Sequence, residues 1–101
     1  MPAPGPEKVL PVQAPVELSV DGRTLSAKVE WSGCQDEPTL AADESPTRVL
    51  LSLHLVDRAR PGVMCPNIAQ SGSTSVQLAN PLGGRPITDA VTGGSIPVSR
   101  P

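Results

Sequence analysis

Three sets of side chains could do chemistry. Cys34 and Cys65 are the two cysteines, 31 positions apart and without a Cys-x-x-Cys spacing. His54 is the single histidine. Asp36, Glu37, Asp43, Glu44 and Asp57 crowd one stretch of the chain. A closed zinc site takes about four thiolate or imidazole ligands, and this cysteine and histidine count falls short. A nucleophilic cysteine needs a base fixed beside it. Nothing holds His54, in the middle of an apolar run, near either sulfur. A disulfide between Cys34 and Cys65 is therefore the expectation, with two free thiols as the alternative.

A catalytic histidine works between a nucleophile and an orienting acid. His54 shares one face of its run with Arg48 and Ser52, whereas Asp57, three positions on, falls on the opposite face of a regular strand. No Gly-x-Ser-x-Gly elbow is present. His54 thus reads as a partly exposed strand residue. Calcium would take about six to eight converging oxygens. The acidic residues lack the Asp-x-Asp-x-Asp-Gly loop and read as solvated, aiding solubility. Gly83-Gly84-Arg85 lacks the lysine and the following helix of a phosphate cradle, and reads as a turn that needs positive φ. The expectation is no catalytic residue, no metal and no cofactor.

Composition narrows the partners. The net charge is −2 and the isoelectric point near 5.2, so no strongly basic phosphate-binding surface is available. Trp31 is the sole aromatic, which argues against modules that stack nucleic-acid bases. No apolar run reaches the roughly 18 residues of a transmembrane helix. At 101 residues the chain suits one domain, whose core must be Val, Leu, Ile and Ala.

The elements that must position these residues read as strands. Val16, Leu18 and Val20 alternate with Glu17 and Ser19, and Asp21-Gly22 follows as a hairpin turn. In Thr24–Trp31, Leu25, Ala27, Val29 and Trp31 face one way and Ser26, Lys28 and Glu30 the other. Ser32–Pro38 is a loop and Thr39–Asp43 a short strand. Thr47–Asp57 puts Val49, Leu51, Leu53 and Leu55 on one face. A helix is the rival there, with Ser45 as N-cap and Pro46 at its first position, but the unbroken alternation favours a strand. Leu50 and Val56 lie on the second face, which is either covered or an open binding surface. Arg58–Gly72 reads as loop and Ser73–Leu78 as strand. Arg85–Asp89 and Ser95–Val98 form a final hairpin across Ala90–Gly94, with Pro86 and Pro97 marking edge strands.

Thirteen prolines are many for this length, and five fall within the first fifteen residues. Residues 1–12 therefore read as an extended, flexible leader, and residues 13–101 as one domain. The leader has neither the basic nor the apolar region of a signal peptide. Such segments lie between a cleaved signal or lipid anchor and the first strand of an exported domain; a cytosolic start with a disordered tail is the alternative. About six or seven short strands punctuated by turns predict an all-β fold, a small immunoglobulin-like or Greek-key β-sandwich. Its expected core is Leu18, Leu25, Val29, Trp31, Val49, Leu51, Leu53, Leu55, Val76 and Leu78.

Several stretches together resemble a known kind of domain. They are the Asp21-Gly22-Arg23-Thr24-Leu25 hairpin, Cys34, the Val49–Leu55 strand, Cys65-Pro66, Ser75-Val76-Gln77-Leu78 and the run from Pro81 to Gly94. The pattern is similar to small, uncharacterised exported or lipoprotein-associated β-domains of high-GC Gram-positive bacteria. Six Arg against two Lys fits such a genome. The resemblance implies a β-fold and export, with no activity attached. The expectation is a secreted or cell-surface, non-catalytic monomer that binds a protein or cell-envelope partner or acts as a spacer. The alternatives are a small cytosolic regulatory or inhibitor-like domain and, last, a hydrolytic enzyme.

Overall fold

The computed structural model describes residues 7–58, 61–62 and 64–100. These residues form strands and turns with no helix: β1 (Glu7–Leu10), β2 (Val16–Leu18), β3 (Thr24–Ser32), β4 (Thr39–Glu44), β5 (Val49–Val56), β6 (Ala69–Gln77), β7 (Ile87–Asp89) and β8 (Val98–Ser99). Two four-stranded sheets face each other as a small β-sandwich. In the first, β5 is central. It pairs with β4 on one side, and with β1 and β7 in succession on the other. The second runs β6-β3-β2-β8.

Period-two alternation makes these elements. Along β5 the burial pattern alternates without a break, with Val49, Leu51, Leu53 and Leu55 inside. Leu25, Ala27 and Val29 of β3 pack with Val49, Leu51 and Leu53 from the other sheet. Each fully buried Val or Leu among them contributes about 1.5–3 kcal/mol. Ser45 accepts the backbone N–H of Arg48 on its hydroxyl, as an N-cap would. It also donates its own N–H to the Arg48 carbonyl, which closes a turn into the strand rather than opening a helix. Eight of the ten expected core residues are buried; Trp31 and Val76 are half-buried against the core. Leu40, Leu82, Ile87 and Ile96 join it from the short strands and turns.

Four expectations need correction. The proline-rich leader does not extend through Val12. Glu7–Leu10 pair antiparallel with Leu53–Val56, and Val12 is buried. Pro11 and Pro15 flank β1 and the following crossing rather than interrupting a ladder, so they leave the pairing intact. Residues 1–6 lie outside the described residues. Second, Val20 does not share the inner face with Val16 and Leu18. The strand ends at Leu18, Gly22 donates to the Ser19 carbonyl at φ +73°, and Val20 projects from the turn 91% exposed. Third, β6 begins at Ala69 rather than Ser73. Its first residues are exposed on both faces, so no alternation marks them; the full length of β3 recruits them, down to Ser32 opposite Ala69.

Fourth, the final hairpin does not stay in one sheet. Its turn forms as expected, with Ile96 donating to the Ile87 carbonyl and Thr88 bridged to Ser95. Val98–Ser99 then pairs parallel with Val16–Glu17 in the other sheet. Both ends of the chain therefore pass from the first sheet to the second, β1 to β2 and β7 to β8.

Candidate functional site

The two cysteines meet at one pole of the sandwich. Cys34 lies in the turn that ends β3 and Cys65 in the connection leading to β6, with 5.1 Å between their Cα atoms in a disulfide. Gly33 makes the turn possible. Its φ is +61°, and a Cβ there would lie 3.3 Å from the Cys65 Cβ. Beside the bridge, Arg58 donates its backbone N–H to the Cys34 carbonyl. Its guanidinium meets Asp36 through Nε at 3.0 and 2.9 Å and through Nη2 at 2.8 Å. That hydrogen-bonded ion pair holds the Asp36 carboxyl below its ordinary value and raises Arg58.

The acidic residues that crowd together in sequence divide between the two ends of the sandwich, with Asp57 bridged to Gln35 beside Asp36 at one of them. Asp36 belongs to the disulfide pole, while Glu44 ends β4 at the far end and faces the core side of its sheet. Glu44 accepts the Ala79 N–H at 2.7 Å and the Arg85 guanidinium at 3.2 Å. The Ala79 bond first, then Arg85 and Asn80, lowers its pKa. Among the described residues no group of three His, Cys, Asp or Glu could hold a metal ion. Arg85 spends its donors on the carbonyls of Ser45, Asn80, Pro81 and Leu82 as well as on Glu44. Gly83-Gly84-Arg85 is thus a clamp that ties turns together, with Gly83 at φ +60°.

His54 stands on the outer face of the first sheet. Register puts Val9 of β1 directly opposite it, so Glu7, two residues earlier, shares that face. Glu7 Oε1 lies 2.6 Å from His54 Nδ1, and Ser52 Oγ lies 3.0 Å from Nε2. A serine, a histidine and a carboxylate are therefore hydrogen-bonded in series. Sequence reading looked for the acid nearby in the chain and found only Asp57. The partner comes from 47 positions away, on a strand read as leader. Leu50 and Val56 are half-buried on this same face and Val9 is 48% exposed. Among the described residues no further layer covers it.

Serine acyl transfer also needs donors for an oxyanion. Ser52 lies opposite Ala41 in the β4 ladder, and Leu53 opposite Leu10 in the β1 ladder. The amides nearest the hydroxyl are thus committed to the sheet. The arrangement fixes the imidazole ring and fastens β1 to β5.

Sequence reasoning missed Asp89, the one buried charged side chain among the described residues, at 4% exposure. It projects inward from β7. Its Oδ2 accepts the Val12 N–H at 2.8 Å, and its Oδ1 accepts those of Val91 and Thr92 at 2.8 and 3.2 Å. The Asp-x-x-x-Gly turn spacing was the available signal, since Asp commonly caps its own turn; the bond to Val12 had none. No family model, no curated protein and no solved structure matches the chain.

Proposed function

We propose that the chain is a non-catalytic β-sandwich module that works outside the reducing cytosol, secreted or at the cell surface, in binding or spacing with a protein or cell-envelope partner. The Cys34–Cys65 bridge carries this reading. Such bonds persist in oxidising compartments and are rare where thiols are kept reduced. The resemblance to exported β-domains of high-GC Gram-positive bacteria points to the same compartment. The open outer face of the first sheet, with Val9, Leu50 and Val56 around His54, offers a surface for a partner. The test is fractionation of cells that make the protein, followed by alkylation without reductant and intact-mass measurement. Recovery outside the cytosol with both sulfurs protected supports the reading. A cytosolic pool with two alkylatable thiols rejects it.

One observation favours a second reading, ester hydrolysis: the Ser52–His54–Glu7 series. Assay against an activated acetate ester separates the two. Turnover that vanishes in Ser52→Ala and His54→Gln while both variants keep the parent melting temperature would make the protein an esterase.

A further inference from the structure

The sheet edges are closed in different ways. β4 ends in Asp43 and Glu44. β1 is four residues long, carries Glu7 and Lys8, and runs into Pro11. β7 and β8 have three and two residues and follow Pro86 and Pro97. Shortness, charge and proline are the usual means of keeping an edge strand from pairing with another chain. β6 has none of them. It is nine residues long, stands at the edge of its sheet and pairs with β3 alone among the described strands. It contains no proline, and no charge occurs between Arg60 and Arg85.

Which groups the edge presents follows from the ladder. Leu78 donates its N–H to the Arg23 carbonyl, so Leu78 and every second residue before it turn their backbone groups toward β3. The N–H and C=O groups of Ala69, Ser71, Ser73, Ser75 and Gln77 then point away from the sheet. The strand, Ala-Gln-Ser-Gly-Ser-Thr-Ser-Val-Gln, places its serines symmetrically about Ser73. Reading outward from it, Gly72 answers Thr74, Ser71 answers Ser75, Gln70 answers Val76 and Ala69 answers Gln77. Two such strands laid antiparallel about a twofold axis meet serine to serine at the centre, with no charge opposed anywhere along the pair. The outward backbone groups supply about ten hydrogen bonds, and facing serine hydroxyls add cross-strand contacts.

We propose that β6 is a homodimerisation edge: two copies of this chain pair β6 antiparallel about a twofold axis at Ser73 and merge their β6-β3-β2-β8 sheets into one continuous sheet. The contact is isologous, so it closes at two copies. It runs counter to the monomer expected from sequence, and it stands whether or not the chain is exported. One strand pair is a small interface, below about 1,200 Å², so the association is weak.

The test is sedimentation equilibrium of the oxidised protein from about 10 µM to about 1 mM, a span that reaches weak, millimolar dissociation constants. A monomer–dimer equilibrium that ends at two copies is the expected result. Ser73→Pro removes an outward N–H while sparing the ladder to β3, and is expected to weaken dimerisation at least tenfold. The register has its own check. Ser71→Glu/Ser75→Glu and Ser71→Lys/Ser75→Lys are each expected to be monomeric, and their mixture to form a heterodimer, because position 71 of one copy opposes position 75 of the other. Circular dichroism melting confirms that each variant is folded. A wild type that stays monomeric throughout the range overturns the proposal, as does a dimer indifferent to Ser73→Pro or a pair of charge variants that fail to combine.

Discussion

Val12 and Asp89 join the two ends of the chain. The Val12 backbone N–H lies 2.8 Å from Asp89 Oδ2, at the point where the N-terminal segment crosses from β1 to β2 and β7 turns back toward β8. The other carboxylate oxygen holds the turn after β7 through Val91 and Thr92. One buried carboxylate thus sets both crossings between the sheets.

Replacing Asp89 by Ala leaves the Val12 amide buried without an acceptor. Hydrogen bonds to a charged group contribute about 1.5–3 kcal/mol, and an unsatisfied buried donor adds its own desolvation cost. Asp89→Ala is therefore expected to lower unfolding free energy by at least about 2 kcal/mol. Urea denaturation is the measurement. A lower midpoint at unchanged slope is the expected outcome, and a midpoint within error of wild type would refute the role.

The N-terminal segment gives a second prediction, and it is where sequence reading failed. Deleting residues 1–12 removes β1 from the edge of β5, together with buried Val12 and the half-buried Leu10. The expected result is a fall in melting temperature well beyond about 5 °C, since roughly 1 kcal/mol shifts a domain of this size by about 4–8 °C. An unchanged melting temperature would mean that β1 adds nothing.

Legibility followed alternation. β3 and β5 each bury every second residue over most of their length, and both could be located from the sequence. The Cys34–Cys65 pairing was legible from the cysteine count and the lack of metal ligands or a base beside either sulfur, and the structure brings both cysteines to one pole. Elements too short or too exposed to show a period were hidden. β1 has four residues with the burial pattern exposed, exposed, exposed, intermediate, and its proline neighbours suggested a tail. The start of β6 is exposed on both faces. The Glu7–His54–Ser52 series was invisible for the same reason: one member sits on the strand that could not be read.

The disulfide makes the third prediction. Closing a loop of this length stabilises a fold by roughly 3–4 kcal/mol on loop-closure grounds, a large part of the ~5–15 kcal/mol typical of a domain. Reduction, or Cys34→Ser with Cys65→Ser, is expected to lower the melting temperature by roughly 12–32 °C. Calorimetry with and without reductant checks this. Equal melting temperatures in both states would show that the bridge is a bystander.

Acid sensitivity is the last prediction. Glu44 is lowered from its ordinary 4.5, first by the Ala79 N–H and then by Arg85 and Asn80. Asp36 is lowered from 3.8 by the hydrogen-bonded Arg58. Asp21 is lowered from 3.8 by Ser19 and the Arg23 N–H. In each case the folded carboxyl releases its proton more readily than the unfolded one. Their stabilisation is therefore fully present above the unfolded values, and is lost as pH falls through the folded ones. The contribution of these three carboxylates is expected to hold from neutral pH down to about 5, and to weaken progressively below about 4.5. Glu44→Gln removes one titrating group while leaving an acceptor for Ala79. The variant should be less stable than wild type at pH 7 and should lose less on going to pH 3. Urea midpoints measured at both pH values decide it: a difference between the two proteins that is the same at pH 7 and pH 3 would show that Glu44 does not contribute through its charge.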